Sequence, residues 1–482
     1  MVGAGLGGLA VALRLQGEGH NVTVLEQRPQ PGGRAYRLRD QGFTWDMGPS
    51  LVTMPWVLEE AFAAGGLDLH SEVALRRLDP HYRIRWAGEE RKVDFTGEPE
   101  RMKAEIAQFS ARDAARYDDF MAALEPIYRE GILGAGRRAF GSPADLVRFL
   151  PRMLRLRAAL PLWRFVSSYF EHPRIRETFS FHSLFIGGDP FRVPAIYGAL
   201  VYLQVLDGVW YTDGGLYPVV EAMARPLDVR CGDGVERIET SRGRVTGVTT
   251  RGGEHVPADV VVSNADVLGT WELLGRERPP LRRLAPTMSC FLLYLGTREP
   301  FADLLHHTLL VGRDYREFIT DVTRRRRLPS TYSTYLHVPS RTERAMAAGE
   351  GDSIAVLLPV PNLRAAVDWS AEGDRLRDGL LRDFEETFGL TGIEASVTVE
   401  HRMTPEDFRS ELGAVQGNAF ALEPTLQQSA WFRQHNRDGR VRGLYHVGGG
   451  THPGAGVPGV LLGAEVTAGL IVADHARDRV TA

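Results

Sequence analysis

Gly3-Ala4-Gly5-Leu6-Gly7-Gly8, followed by Leu9 to Gln16 and then by Val22 to Glu26, is the stretch whose reading decides the fold. A glycine turn, an apolar helix-like run and an apolar strand, in that order, form the opening βαβ unit of a dinucleotide-binding fold. In such a unit the first glycine, Gly3, permits a tight turn, the second, Gly5, lets the backbone approach a pyrophosphate, and the third, Gly8, brings helix and sheet together. The helix then aims free amides and its positive dipole end at the phosphates. Glu26 closes the second strand where a carboxylate can accept hydrogen bonds from ribose hydroxyls. A GxGxxG arises by chance in a chain with 52 glycines, so the strand context and the acid at its distance carry the reading. Only Met1 and Val2 precede Gly3, whereas a strand usually runs about five residues. The expectation is an unusually short central strand, or one continued by residues upstream.

With 482 residues, the chain is long enough for about three domains. Its 43% hydrophobic and 24% charged content is that of an ordinary soluble protein and excludes a disordered one. Fifty-seven basic against 61 acidic residues leave a net charge of −4, which gives no general attraction to nucleic acid. Cys231 and Cys290 have neither CxxC nor metal-ligand spacing, so free thiols in a reducing cytoplasm and no metal are expected. No run of 18 uninterrupted apolar residues argues for a transmembrane helix.

Further along, Pro31-Gly32-Gly33-Arg34 makes a loop whose backbone can lie against a ligand while Arg34 neutralises a phosphate oxygen. The aromatic-rich turn Gly42 to Pro49 is placed at the cofactor's edge. Between Val147 and Phe170, Arg148, Arg152, Arg155, Arg157 and Arg164 alternate with Phe149, Leu150, Met153, Leu154 and Trp163. That is the composition of a segment lying in a membrane interface, or of an internal helix whose arginines meet acids elsewhere. Pro151 and Pro161 are expected to break it into short helices. Ser180 to Phe191 and Pro194 to Val209 are apolar enough to line a core or a greasy tunnel. His182 there reads equally as a buried imidazole or a base.

The second strong signal lies near the C-terminus: a strand at Gly443 to Val447, a glycine loop from Gly448 to Gly456, and a helix from Val457 to Ala473. Two cradles of helix amides suit a ligand with a pyrophosphate at one end and, at the other, a ring that becomes anionic on reduction. A flavin fits this better than a nicotinamide. The expected cofactor-binding residues are Gly3, Gly5, Gly8, Glu26, Gly33, Arg34, Val235, Gly448, Gly450, Thr451 and Val457. Strands resuming at Gly234 to Glu239, Val245 to Thr250 and Ala258 to Ser263 after a long insertion imply a discontinuous domain. The fold class is α/β: a Rossmann-like cofactor domain from 1–60, 211–280 and 440–482, an α+β substrate domain from 61–110 and 281–439, and a helical, membrane-facing insertion over 111–210.

The motifs GAGLGGLAVALRLQ (Gly3 to Gln16), LEQRPQPGGRAY (Leu25 to Tyr36), DQGFTWDMGPSLVT (Asp40 to Thr53), SFHSLFIGGDPF (Ser180 to Phe191), SNAD (Ser263 to Asp266), HHT (His306 to Thr308), QSAWFRQHNRD (Gln428 to Asp438) and GGGTHPGAGVPGVLLGAEVTAGL (Gly448 to Leu470) span the chain. With them it resembles the bacterial-type phytoene desaturases, carotenoid-forming flavoproteins of the amine oxidase superfamily. Gly449 departs from the alanine usual there. The resemblance implies FAD as sole redox cofactor, a C40 polyene substrate drawn from the bilayer, and stepwise removal of a hydride and a proton. It also implies peripheral attachment to the cytoplasmic membrane surface, no nucleic-acid partner, and a quinone or oxygen as electron acceptor. Asp213 and His452, carried by glycine loops, are the candidate proton acceptors. The alternatives are another carotenoid flavoenzyme (a 3,4-desaturase, a C30 desaturase or a ketolase) and a non-catalytic isoprenoid carrier of the same fold.

Overall fold

The computed structural model describes residues 1–277 and 284–481. A parallel sheet is assembled from strands far apart in sequence, in the order Asp228–Cys231, Thr23–Glu26, Val2, Val261–Ser263, Leu444–His446. Val2 is the centre: it bridges Leu25 on one side and Ser263 on the other. Its N–H donates to Val262 O (2.9 Å), and Asn264 N–H donates to Val2 O (2.8 Å). Within the chain described, the central position of this sheet is held by Val2 as a single bridging residue. The flanking strands supply the burial that parallel pairing requires, with Val24, Leu25, Val261, Val262 and Leu444 all in the core.

The first helix, Leu6–Gly17, is buried along almost its whole length. It packs against the C-terminal helix Val457–Thr481 and against Pro55–Ala64, which explains why it is apolar all round instead of amphipathic. Gly7 makes the closest crossing possible, since a Cβ there would sit 2.8 Å from Val460 Cγ1. Residues Val457–Arg477 are long and apolar enough to cross a membrane by length and composition. Their Leu461, Leu462 and Ala464 are buried in the protein core, as in a core helix.

A second sheet has seven strands in the order Val397–Met403, Ser289–Thr297, Ser353–Val360, Thr334–His337, His307–Val311, Tyr82–Trp86, Lys92–Phe95. All its pairings are antiparallel except that of His307–Val311 with Tyr82–Trp86. Ser289–Thr297 is buried at every position, so both of its faces are covered. Leu292 and Tyr294 join Phe43 and Trp45 in one cluster, while Phe291, Leu293 and Leu295 join the main core with Leu376 and Leu380. The aromatic turn after Gly42 thus covers this sheet, with Trp45 Nε1 donating to Leu295 O (3.3 Å).

The region between the sheets is helical around packed rings. Phe170 stacks on Phe179 (4.9 Å), and Phe120 lies edge-on to Phe170 (5.0 Å). Pro151 does not break its helix: Pro143–Arg155 runs through it, started by a Ser142–Asp145 capping box. The reason is exposure. Pro151 cannot donate to the Val147 carbonyl one turn earlier, and both residues face solvent, where water can replace that bond. Arg157 (φ 55°) then reverses the chain, and Pro161 does cap the next helix, Leu162–Val166.

Candidate functional site

Asn264, at the end of the Val261–Ser263 strand, joins the two glycine loops. Its Nδ2 donates to Gly3 O (3.4 Å). A Cβ at Gly5 would lie 2.9 Å from that same nitrogen, and one at Gly448 would lie 2.9 Å from Asn264 Oδ1. One side chain therefore touches turns written more than 400 residues apart, and the two glycine loops meet at it.

The first turn is built as its glycines require. Gly3 has φ +90°, and its N–H donates to Leu25 O (2.8 Å). A Cβ at Gly8 would come within 2.2 Å of Gly3 O, closer than real Cβ contacts, so helix and turn can meet only at a glycine. Gly5 caps the first helix with no side-chain bond, leaving its leading amides to another partner. Gly32 N–H donates to Ala4 O (2.9 Å), and a Cβ at Gly33 would lie 3.3 Å from Gly5 Cα, so the Pro31–Arg34 loop lies directly on the fingerprint. The Glu26 carboxylate is buried at the strand end, accepting from Ala4 N–H (2.7 Å) and Arg28 N–H (3.0 Å). Val235 packs in one cluster with Val2 and Leu25, and Gly234 before it adjoins Gln27, the residue after Glu26.

Arg34 donates through Nη2 to the carbonyl and the side chain of Asn418 (both 3.3 Å), while its Nε is buried with no partner. Burial lowers its pKa and Asp266 partly offsets that. Asp266 caps the helix Val267–Leu273 and also accepts from Asn418 Nδ2 (2.8 Å). Arg34 therefore belongs to a polar network beside the cleft, with a donor to spare for an anion.

The C-terminal loop is held from beneath by two residues that sequence reasoning quoted only as part of a motif. Arg433 is buried and donates to the carbonyls of Gly449, Thr451 and Gln428. Asn436 donates to His452 O (3.0 Å) and Thr467 Oγ1 (3.1 Å). With these carbonyls occupied, the loop is held in place by the side chains beneath it. Thr451 Oγ1 is buried there without a partner. Gly450 abuts Val267, where a Cβ would meet Cγ2 at 2.5 Å, whereas at Gly449 the nearest atoms would be 3.6 Å away. The glycine at 449 is thus a departure that costs the loop nothing.

The structure gives the two candidate proton acceptors other tasks. Asp213 is half-buried, with both carboxylate oxygens on Arg76 (2.5 and 2.7 Å). Its glycine loop turns to Glu343, which accepts from Gly214 N–H (2.7 Å), and to Asp46, which accepts from Leu216 N–H (2.9 Å). Burial pushes Asp46 up to about 7. His452 is buried against Phe140, with its Nε2 3.0 Å from Ala135 O, and burial lowers its pKa to about 4. A neutral imidazole bound to a carbonyl in this way fixes the glycine loop to the helical region. His182 is likewise a core residue: its Nε2 is 2.6 Å from Tyr82 Oη, which donates to Gln204, and burial lowers it to about 3.

An orphaned guanidinium nitrogen, an orphaned hydroxyl, an uncapped helix start and glycines where any Cβ would intrude all converge on one cleft. These residues fit a dinucleotide carrying a flavin. Comparison with known proteins agrees. The pattern of the flavin containing amine oxidoreductases matches residues 6–472. A lycopene-forming phytoene desaturase of Pseudescherichia vulneris is 39% identical over 98% of this chain and 99% of its own length. A neurosporene-forming phytoene desaturase of Rhodobacter capsulatus is 37% identical over 98% and 93%. A solved putrescine oxidase variant shares the fold, with a TM-score of 0.65 at 14% identity and 98% coverage of both chains. By its cradle geometry and its end-to-end likeness to these relatives, the chain belongs to the phytoene desaturase family of FAD-dependent amine oxidoreductases.

Proposed function

We propose that this chain desaturates phytoene, a C40 polyene, at a membrane surface on the way to coloured carotenoids. The observation that carries the reading is the meeting of the two glycine loops on Asn264 in a chain 39% identical, end to end, to a lycopene-forming desaturase. Bound in this cleft, FAD supplies the oxidising equivalent that accepts hydride. The chain's own residues orient it: Glu26 receives ribose hydroxyls, the first helix and Arg34 hold phosphate, and the Arg433-backed loop presents amides to the ring. Relatives of similar identity are named for different products, lycopene and neurosporene, and the reading extends to either product.

Membrane attachment is supported by the helix Pro143–Arg155. Phe149 and Met153 face the core, whereas Val147 (69% exposed), Leu150 (46%) and Leu154 (61%) form an outward apolar row flanked by Arg148, Arg152 and Arg155. Leu426 (49%) and Phe432 (52%), the latter on a turn that this helix contacts, extend the apolar surface. Arginines over lipid phosphate with apolar side chains below is how an interfacial helix sits. We place the protein on the cytoplasmic face, where Cys231 and Cys290 stay free thiols, and assign reoxidation to a quinone or oxygen.

The test is phytoene in liposomes with added FAD, read as pigment. Red lycopene or yellow neurosporene is the expected result. Colourless phytoene recovered unchanged from a yellow, flavin-loaded protein would overturn the desaturase reading, and a protein that takes up no flavin would favour a carrier. The double variant Leu150→Glu and Leu154→Glu should lose most liposome sedimentation while keeping its flavin absorbance. Undiminished sedimentation would remove this helix as the anchor.

A further inference from the structure

In the seven-stranded sheet, well away in sequence from either glycine loop, three histidines face one another. His307 on the strand His307–Val311 is the register partner of His337 on Thr334–His337, and His306 immediately precedes the first strand. All three are buried. One ring nitrogen from each lies within 4.8 Å of the other two, and the His306 and His337 Nε2 atoms are 3.2 Å apart. Two imidazoles bound tetrahedrally to a metal at about 2.0–2.1 Å place their nitrogens about 3.3 Å apart. One pair therefore already has the spacing, and the third nitrogen needs to close by no more than about 1.5 Å, within reach of small ring rotations.

Ordinary core packing accounts for only part of this. A His306–His337 hydrogen bond satisfies one contact, but His307 Nε2 remains buried with no partner. Burying a ring nitrogen unpaired is unfavourable. Meanwhile the far nitrogens of two rings are fixed. His306 Nδ1 is 2.6 Å from Thr342 Oγ1, and His307 Nδ1 is 2.7 Å from Tyr335 Oη, which in turn is 2.7 Å from Ser50 Oγ. Hydrogen bonds on the outer nitrogens that aim the inner ones are the support a ligating histidine usually has.

We propose that His306, His307 and His337 bind one nitrogen-preferring transition-metal dication of the Zn²⁺ class. The all-imidazole donor set selects such ions over Mg²⁺ and Ca²⁺, which take oxygen ligands. Three protein ligands leave a fourth position for water or a small donor. The ion ties the start of one central strand to the end of its neighbour, and through Tyr335 and Ser50 it reaches the loop after Pro49.

The test uses FAD-loaded protein, stripped with a chelator and desalted, then titrated with Zn²⁺ and separately with Co²⁺. The expected results are one equivalent bound below micromolar concentration and a visible Co²⁺ band of four-coordinate intensity. The unfolding midpoint should rise by roughly 2–3 °C at a hundredfold excess over Kd. His337→Gln should weaken Zn²⁺ binding at least hundredfold with flavin content unchanged, whereas replacing the half-buried His20 and the exposed His475 should change nothing. No stoichiometric uptake, or uptake undiminished in His337→Gln, would overturn the site. Should the variant fail to fold, the Co²⁺ spectrum of the unmodified protein decides: absence of a four-coordinate, nitrogen-ligated signature sinks the proposal.

Discussion

In the parallel sheet the site is made of backbone, and the residues that matter are those without side chains: Gly3, Gly5 and Gly8 at one end of the chain, Gly448 and Gly450 at the other. In and against the seven-stranded sheet the chemistry is made of side chains: Tyr82 on its strand meets His182 and Gln204 from the helical region, and His306, His307, His337 and Tyr335 form another group. A backbone site tolerates no added atom but leaves its polar groups free for a ligand. A side-chain site bonds many of its polar groups to one another and depends on their charge state. Failure should therefore come in two forms, the glycine turns yielding to added volume and the buried imidazoles, His452 beside the C-terminal loop among them, to added protons.

Volume gives the largest expected effect. Gly8→Val would drive a Cβ to within 2.2 Å of Gly3 O, a clash with backbone that no rotamer relieves. The first helix would have to leave the sheet, and overpacking of this kind in a core costs about 3 kcal/mol or more. The purified variant should carry no flavin absorbance. A variant retaining stoichiometric FAD would show that helix and turn are not in the contact described.

Protons come next. His182 and His452 have folded pKa values of about 3 and about 4, both lowered first by burial, below the ordinary histidine value near 6.5. As pH falls the unfolded chain binds protons that the folded chain refuses. The stability from the neutral rings is thus complete above pH 6.5 and is lost on descending toward pH 4. Each ring removes about 1.4 kcal/mol per pH unit within that window. Urea midpoints measured from pH 8 to pH 5 should be flat to about pH 7 and then decline. Asp46, raised to about 7 by burial, works in the opposite sense and offsets one ring. A net decline remains expected, and a midpoint unchanged between pH 7 and pH 5 would mean these imidazoles are solvated.

Sequence reading succeeded where local spacing fixes geometry and fell short where geometry joins distant segments. The glycine fingerprint, Glu26, the Pro31–Arg34 loop and the strand, loop and helix from Gly443 onward are each contiguous, and each can be read from one window. Asn264, Arg433 and Asn436 act by bringing windows together. They were visible only as letters in motifs, because a side chain that bonds backbone carbonyls carries no periodicity. The same holds for the histidine group, whose members come from two strands and are adjacent only through strand register. Pro151 misled for a different reason: the rule that proline ends a helix presumes a carbonyl with nowhere else to bond, and an exposed turn removes that condition.

Glu26 sharpens the contrast from inside the backbone site, since it works through its side chain among turns made of glycine. Glu26→Ala removes the acceptor for ribose hydroxyls and also leaves Ala4 N–H without its 2.7 Å partner. Hydrogen bonds to a charged group are worth about 1.5–3 kcal/mol, so FAD affinity should fall roughly tenfold to hundredfold, read by flavin fluorescence on titration into the apoprotein. Glu26→Gln, which keeps one acceptor oxygen, should lose less. Equal losses in the two variants would assign the effect to the turn and not to the ribose.

The smallest effect is the most discriminating, because it compares neighbours. Gly449→Ala places its methyl 3.6 Å or more from Ala455 and Ala421, an ordinary contact, whereas Gly450→Ala meets Val267 Cγ2 at 2.5 Å. Val267 is a β-branched residue in the first turn of a helix, with little rotamer freedom to withdraw. The alanine at 449 should therefore change the unfolding midpoint and FAD affinity by no more than about 0.5 kcal/mol, and the one at 450 should cost about 1–3 kcal/mol. If the two substitutions behaved alike, the loop would be yielding as a whole, and Arg433, whose bonds to the Gly449 and Thr451 carbonyls straddle this pair, would not be holding it.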